Sequence, residues 1–323
     1  MNTKQSLEKL IDFPPSRYVL GRSSIADLFP PKRRCGIYVL HFTDGWYYVG
    51  QAIDVTRRYS QHCQNHDDIE RISFKPFSAQ NLNAHEQRVI AELERNGYKL
   101  RNVALVSIPY WESDFDALMS PSEQSEWLSN LNISNVKGKR VDHPELRQRY
   151  RKKFQRLEKL PFYQDIAQIL REYVHKCIPS VVEGEMSFWC CTCLPHYNDP
   201  TVKIYSRINI YWQEVFTAFL VHGHGQPYFS FHLAHSLLTT QFGPRLSGLK
   251  TRYRSLEVTD HYYNPGGRDQ CNLVIGGISE TRRLLNDVNV LPAIREFNLR
   301  LSKKGACVFS RYHCLDLADK LIG

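Results

Sequence analysis

The stretch GIYVLHFTDGWYYVG, Gly36 to Gly50, constrains the fold more than any other part of the chain. Side chains alternate along a strand, so GIYVLHF reads as one strand and WYYVG as its antiparallel partner across a TDG turn. Turn length decides which face each side chain takes. A two-residue Asp44-Gly45 loop would pair Phe42 with Tyr47 and put Tyr38 and Tyr48 on opposite faces. A three-residue loop, Thr43-Asp44-Gly45, pairs Phe42 with Trp46 and Leu40 with Tyr48, and then Tyr38 and Tyr48 share one face. Gly45 favours the longer loop, because such loops end in a left-handed residue. A slip of one residue would turn every side chain to the other face.

Two helices should follow. Asp54 suits an N-cap for a helix beginning at Val55. On it Val55, Arg58, Tyr59 and His62 share one face, and Arg57 points elsewhere. An Arg and a His one turn apart, beside two phenols, suit an anionic substrate. Arg carries a permanent charge and a planar fork of donors, and His exchanges a proton near neutral pH. The plain alternative is a surface Arg and a hydrogen-bonded His. The second helix spans Asn81 to Gly97, closed by the glycine. Leu82, Val89, Ile90 and Leu93 make its apolar stripe, with Glu86 at the centre. A buried, unpaired carboxylate is costly. A metal ion or a buried cation would account for it, as would pairing with Arg58 or a backbone donor.

This ordered set resembles the GIY-YIG nuclease superfamily: GIY, a ten-residue step to YVG, Arg58, His62, the helical Glu86, then Asn102. The resemblance covers roughly Cys35 to Asn102. It implies a small three-stranded antiparallel sheet with flanking helices, RISFKPF (Arg71 to Phe77) being the third strand. It implies Mg²⁺, with Mn²⁺ able to replace it, held by Glu86 and polarising the scissile phosphate. It also implies roles. Tyr38 would take a proton from the attacking water, and His62 would relay it. Tyr48 would orient water or phosphate, Arg58 would stabilise charge on the phosphoryl oxygens, and Asn102 would buttress the site. A free phenol titrates near 10, so Tyr38 would need cations nearby to act as a base. Two departures stand out. Gln51-Ala52 replaces a small hydroxyl residue found in many members, and the step from Glu86 to Asn102 is long.

The remainder of the chain is read from composition and pattern. Its 323 residues exceed what one core usually supports, so two domains are expected. Residues 1–34 read as a lead-in, 35–110 as the nuclease-like domain, 111–161 as a polar linker with a basic helix, and 162–323 as a second domain. No apolar run approaches a membrane span, and MNTKQSLEKLIDFPP lacks the apolar core of a signal peptide. The odd count of nine cysteines fits a reducing compartment, so a cytoplasmic protein is expected. The net charge of +9 favours a polyanionic partner. Much of it lies in Lys137 to Lys159, with ten Lys/Arg against three Asp/Glu. Leu146, Tyr150, Phe154 and Leu157 there fall at helical spacing, giving a helix from about Pro144 to Leu160. Its outer face, with Arg147, Arg151, Lys152 and Arg156, is either solvated or a clamp on a phosphate backbone.

The region 162–323 matches no recognised family. One helix precedes short β-like runs, SFWCCTCL, TVKIYSRINIYW and NLVIGGI, giving a mixed α/β, strand-rich domain. A helical stretch from Ser279 to Leu301 precedes a last β-like run, ACVFSRYHCLDL. Cys190, Cys191, Cys193 and His196, with His222, His224, His232 and His235, could hold a structural Zn²⁺, although paired CxxC motifs are absent. In Leu249 to Gln270, Arg252, Arg254 and Arg268 interleave with Tyr253, Tyr262 and Tyr263, as suits contact with bases; core tyrosines on a hairpin are the alternative. The expected protein is an α+β, Mg²⁺-dependent DNA endonuclease of restriction type. The second domain would select the target, a modified base being one candidate, and Arg57 would join the nucleic-acid contacts. Its partner would be double-stranded DNA, cut by two successive nicks or by a homodimer. The alternatives are a structure-specific repair or recombination nuclease and a non-catalytic nucleic-acid binder.

Overall fold

The computed structural model describes residues 6–102, 106–107, 109, 113–133, 136–140, 142–259 and 263–323. The chain divides into two compact units, Met1–Tyr110 and Trp111–Gly323. Both mix helices with an antiparallel sheet.

In the first unit a short helix α1 (Leu7–Leu10) and a two-residue strand β1 (Arg17–Tyr18) precede the hairpin β2 (Gly36–Phe42) and β3 (Tyr47–Ala52). Helix α2 (Val55–His62), strand β4 (Ile69–Pro76) and helix α3 (Leu82–Arg95) complete it. The hairpin has the three-residue loop: Leu40 lies opposite Tyr48, the Phe42 N–H bonds the Trp46 carbonyl at 3.0 Å, and Gly45 has φ +81°. Asp54 caps α2 by accepting from the backbone of Thr56 and Arg57.

The sheet runs β1-β4-β2-β3, one strand wider than expected. The lead-in supplies the extra strand, with Arg17 opposite Ile72. Val19, Ile25 and Phe29 of that segment are buried in the core with Tyr38, Leu40, Val55 and Tyr59. The described part of the lead-in, residues 6–34, therefore belongs to the first unit.

Strand β3 lies at the sheet edge, but its outer side is closed. After α3 and the positive-φ Gly97 the chain returns alongside it. The Tyr47 N–H bonds Lys99 O at 2.9 Å, and the Arg101 N–H bonds Tyr47 O at 2.7 Å. Asn102 continues the pattern with its side chain. Its Oδ1 accepts from the Val49 N–H at 2.8 Å, and its Nδ2 donates to the Val49 carbonyl. The amide thus stands in for a neighbouring strand's peptide group. The long step from Glu86 to Asn102 is the length of chain needed to finish α3 and run back along β3.

The second unit begins with helices α4 (Pro121–Ser129), α5 (Pro144–Leu157) and α6 (Tyr163–Cys177). Strands β5 (Trp189–Cys193), β6 (Val202–Ile210), β7 (Gln213–Val221) and β8 (Pro227–Leu233) follow, then α7 (His235–Phe242), α8 (Ser247–Arg252), β9 (Leu256–Thr259) and β10 (Cys271–Gly276). Helices α9 (Ile278–Leu285), α10 (Leu291–Lys304) and α11 (Leu315–Ile322) end the chain. The sheet order is β5-β6-β7-β8-β10-β9. Phe216, Phe229, Phe231 and Leu273 share a core with Ile169 and Tyr173 of α6 and with Ile294 and Phe297 of α10. No helix among the described residues is long and apolar enough to cross a membrane.

Three expectations change here. The basic helix is not a linker: Leu146, Phe154 and Leu157 are buried, and Phe154 and Leu157 join the core of the second unit. The stretch Ser279 to Leu301 is two helices, broken where Asp287 Oδ1 accepts from the Asn289 N–H at 3.0 Å. The run ACVFSRYHCLDL is not a strand but a loop, a 3₁₀ turn and the start of α11. Leu317, Ala318, Leu321 and Ile322 recur at helical spacing and bury one face.

One buried cation ties residues 127–133 to α10 and the end of α6 within the second unit. Arg295 of α10 has no exposed surface. Its guanidinium donates to the carbonyls of Trp127 (2.6 Å), Asn130 (3.0 Å), Leu131 (3.1 Å), Ile133 (3.0 Å) and Lys176 (2.6 Å), and lies over the Trp127 ring at 4.6 Å. Five donors meet five carbonyl oxygens, so the charge is solvated by backbone dipoles and not by a carboxylate.

Candidate active site

The hairpin, α2 and α3 bring the expected residues of the first unit together. Tyr38 is 1% exposed, and its ring lies 6.2 Å from that of Tyr48, on the shared face set by the three-residue loop. Tyr38 faces Gly50 across the β2–β3 ladder. A Cβ at Gly50 would overlap the phenol oxygen of Tyr38. The final glycine of YVG is therefore required by contact, because the phenol lies across it. Gly36 has the same role at the other end of β2, where a Cβ would overlap the backbone of β4 at Lys75.

From α2, Arg58 and His62 converge on the Tyr38 oxygen. The Tyr38 hydroxyl and His62 Nε2 are 2.7 Å apart, and Arg58 Nε donates to the same oxygen at 3.4 Å. Burial, with the Arg58 and His66 charges, pushes His62 down to about 4. The imidazole is thus neutral at pH 7. Burial and the neighbouring Tyr48 push the Tyr38 phenol well above its ordinary value, and the pull of Arg58 does not offset them. The hydroxyl keeps its proton and donates it to Nε2, which places the ring proton of His62 on Nδ1. Burial also raises Tyr48, again against Arg58. Arg58 itself is raised by its bonds to Tyr38, so it stays fully charged.

Glu86 projects from the buried face of α3 with Leu82, Val89, Ile90 and Leu93. It is 8% exposed. Its partner is a side chain that sequence reasoning set aside. Gln51 Nε2 donates to Glu86 Oε2 at 3.1 Å and also to Asn83 Oδ1. Burial pushes the Glu86 carboxyl up to about 7, against the Gln51 bonds and the Arg58 charge that pull it down. A neutral amide satisfies one lone pair but supplies no charge. Burial thus holds the Glu86 carboxyl near neutral pH, with no charged group bonded to it among the described residues. The position of Gln51 directly after YVG was the available signal, since a residue there lies near the end of the strand that packs beside α3.

These groups fit a hard divalent cation in one respect and limit it in another. Mg²⁺ is commonly held by one or two carboxylates, with water and substrate phosphates completing the set. Glu86 supplies one such oxygen ligand. Among the described residues no three His, Cys, Asp or Glu side chains converge as a metal cage.

The remaining candidates are scattered. Arg57 is exposed on α2, and Arg151, Lys152 and Arg156 are exposed on α5. Arg147 is not free for phosphate: it pairs with Asp142, Asp316 and Asp319 at 3.0, 2.7 and 2.6 Å. These carboxylates offset its charge, two of them from α11, which no local pattern could announce. Arg252 pairs with Asp287 at 3.0 Å, while Arg254 and Arg268 are exposed. Tyr253 is a core residue whose hydroxyl donates to Asp287 at 2.7 Å, and Tyr262 lies outside the described residues.

The cysteine and histidine set is dispersed. Cys190, Cys191 and Cys193 are buried on β5, and Cys190 lies 3.7 Å from Cys307. His196 bonds Asn198 at 3.2 Å, His224 bonds Tyr228 at 2.9 Å, and His235 opens α7. His222 follows the end of β7 and His232 lies on β8. Comparison of the chain with protein-family models, with curated proteins and with solved structures finds no match.

Proposed function

We propose that the first unit is a Mg²⁺-dependent endodeoxyribonuclease and that the second unit selects its target. The observation that carries this is the convergence of Arg58 and neutral His62 on one buried phenol, Tyr38, with the raised carboxyl of Glu86 on the adjoining helix. A phosphodiester needs a base for water, a cation for the developing phosphoryl charge and stabilisation of the leaving oxygen. Glu86 would hold a divalent cation, which when bound would supply the last of these and polarise the phosphate.

The chain's own groups handle the proton. Tyr38 is a poor base alone, because burial keeps it protonated. It acts as a relay: its hydroxyl passes its proton to His62 Nε2 as it accepts one from water. Neutral His62 is the acceptor this requires. Arg58 donates to the phenol oxygen and offsets charge there and on the phosphoryl oxygens. Tyr48, beside both, orients the water or phosphate. Asn102 acts through Val49, fixing the strand that carries Tyr48.

The test is digestion of plasmid, modified phage-type DNA and branched DNA side by side in Mg²⁺, with end sequencing and Glu86→Ala as control. Cutting of duplex DNA that disappears in the variant, with binding kept, is the expected result. Cutting confined to branched DNA would make it a repair or recombination enzyme. Cutting by Glu86→Ala at the parental rate would remove the cation from Glu86.

A further inference from the structure

The outer face of the six-stranded sheet in the second unit is polar, yet parts of it are withdrawn from solvent. Its side chains line up across the strands. Thr192 faces Arg207, Arg207 faces Thr217, and Thr217 faces Ser230. An outward face of an antiparallel sheet is ordinarily wet. Here Thr192 and Thr217 are each 8% exposed, and His232 and Asn272 in the next row are 4% and 3%. Tyr197 and Tyr263, from loops outside the strands, help enclose a cavity of about 390 Å³ over this face, with Phe219 in its wall.

The floor has a paired charge. Arg207 Nη1 and Glu214 Oε1 are 3.2 Å apart, and Thr217 Oγ1 donates to Glu214 at 3.3 Å. The Arg207 and Glu214 side chains keep 19% and 26% of their surface. The Arg207 guanidinium also lies 5.8 Å from the Tyr197 ring. A second cavity of about 390 Å³ adjoins the first, sharing Tyr197, Val202 and Ile204, and its rim carries Lys153, Arg156 and Lys203.

We propose that this face is a nucleobase pocket, with the base between the aromatic walls and its phosphate toward Lys203 and Arg156. A guanidinium beside a carboxylate, each keeping some side-chain surface, matches the edge of a base that offers an acceptor next to an N–H. The aromatic walls suit a flat ring. In a duplex that edge is paired, so a base from DNA would enter from a single strand or flipped out of the stack. The cavity chemistry stands by itself; DNA as the source of the base rests on the nuclease reading.

The test uses the full-length chain in EDTA, so that binding is read without cleavage. Calorimetry compares each nucleoside 5′-monophosphate with deoxyribose 5-phosphate, for the parent, Glu214→Gln and Tyr197→Ala. Tyr197 is 49% exposed, so that variant does not depend on repacking a core. At least one monophosphate should bind about tenfold or more tighter than the sugar phosphate, the scale of a single base stacked on an aromatic ring. Both variants should lose that margin while keeping the parental circular dichroism. Equal binding of monophosphate and sugar phosphate by the parent, or an undiminished margin in both folded variants, overturns the pocket. Competition by a short single strand, lost when its bases are replaced by abasic sites, assigns the base to a polynucleotide; no competition assigns it to free nucleotides. Cleavage in Mg²⁺ is scored separately. Nucleotide binding without any cleavage sinks the nuclease reading and leaves the pocket, and the reverse sinks the pocket alone.

Discussion

Replacing Glu86 with Gln should stabilise the first unit at pH 8 while abolishing cleavage. The carboxyl is held at about 7, against an ordinary 4.5, chiefly by burial. Between those values the folded chain keeps a proton that the unfolded chain has released. Stability therefore falls as pH rises through this window and levels off above it. Ionising a group so displaced costs the fold about 3 kcal/mol, at about 1.4 kcal/mol for each tenfold change in proton affinity. Glu86→Gln keeps the shape and removes the ionisation. At pH 4.5 parent and variant should be equally stable, and at pH 8 in EDTA the variant should lead by up to about 3 kcal/mol. Hydrogen exchange resolved by peptide mass spectrometry reads the first unit by itself, after correction for the intrinsic pH dependence. Millimolar Mg²⁺ at pH 8 should restore protection to the parent and leave the variant unmoved, because the cation binds only the ionised folded form. A parent equally protected at pH 5 and pH 8, or a variant no more stable than the parent at pH 8, would refute the reasoning.

Three further outcomes are expected. Gly50→Ala forces the Tyr38 ring aside and should cost about 1–3 kcal/mol of stability. Its cleavage rate should fall by about a hundredfold, as for a misplaced catalytic group; a parental rate would separate Tyr38 from the chemistry. Changing Arg151, Lys152 and Arg156 together to Gln should weaken binding to all DNA sequences alike, and each lost phosphate contact should flatten the slope of log affinity against log salt by roughly one. An unchanged slope would make the outer face of α5 merely solvated. Arg295→Met leaves five carbonyl oxygens without their donor and should cost about 3 kcal/mol or more, read by urea unfolding at the Trp127 fluorophore.

Local chemistry was legible wherever a residue's role depends on its near neighbours. Gly45 marked the loop, Asp54 the cap, and the stripe around Glu86 the buried face of α3, because each acts within a turn or a strand pair. The convergence of Tyr38, Arg58 and His62 followed from those elements. What stayed hidden depends on partners far along the chain. Strand β1 is two residues long and has meaning only against β4. Arg147 looked like a phosphate ligand until Asp316 and Asp319 arrived from the other end of the chain. Arg295 offered no pattern at all, since its acceptors are backbone carbonyls. One missed element was readable: Ser120-Pro121-Ser122-Glu123 is a capping box with proline at the first turn, and it opens α4.

The run from Lys99 to Asn102 has a further consequence, for modularity. A bare outer strand is a template for pairing with other chains. In the first unit that strand carries Tyr48, and its open side is shut by a backbone run and one asparagine amide contributed by residues 99–102. Whatever is joined after the first unit meets a strand edge already closed at Tyr47 and Val49, so the attached partner can be exchanged without uncovering it. A break made before Lys99 would unseal it. The working strand would then become a sticky ribbon, and aggregation would remove the protein before any defect in chemistry could be measured.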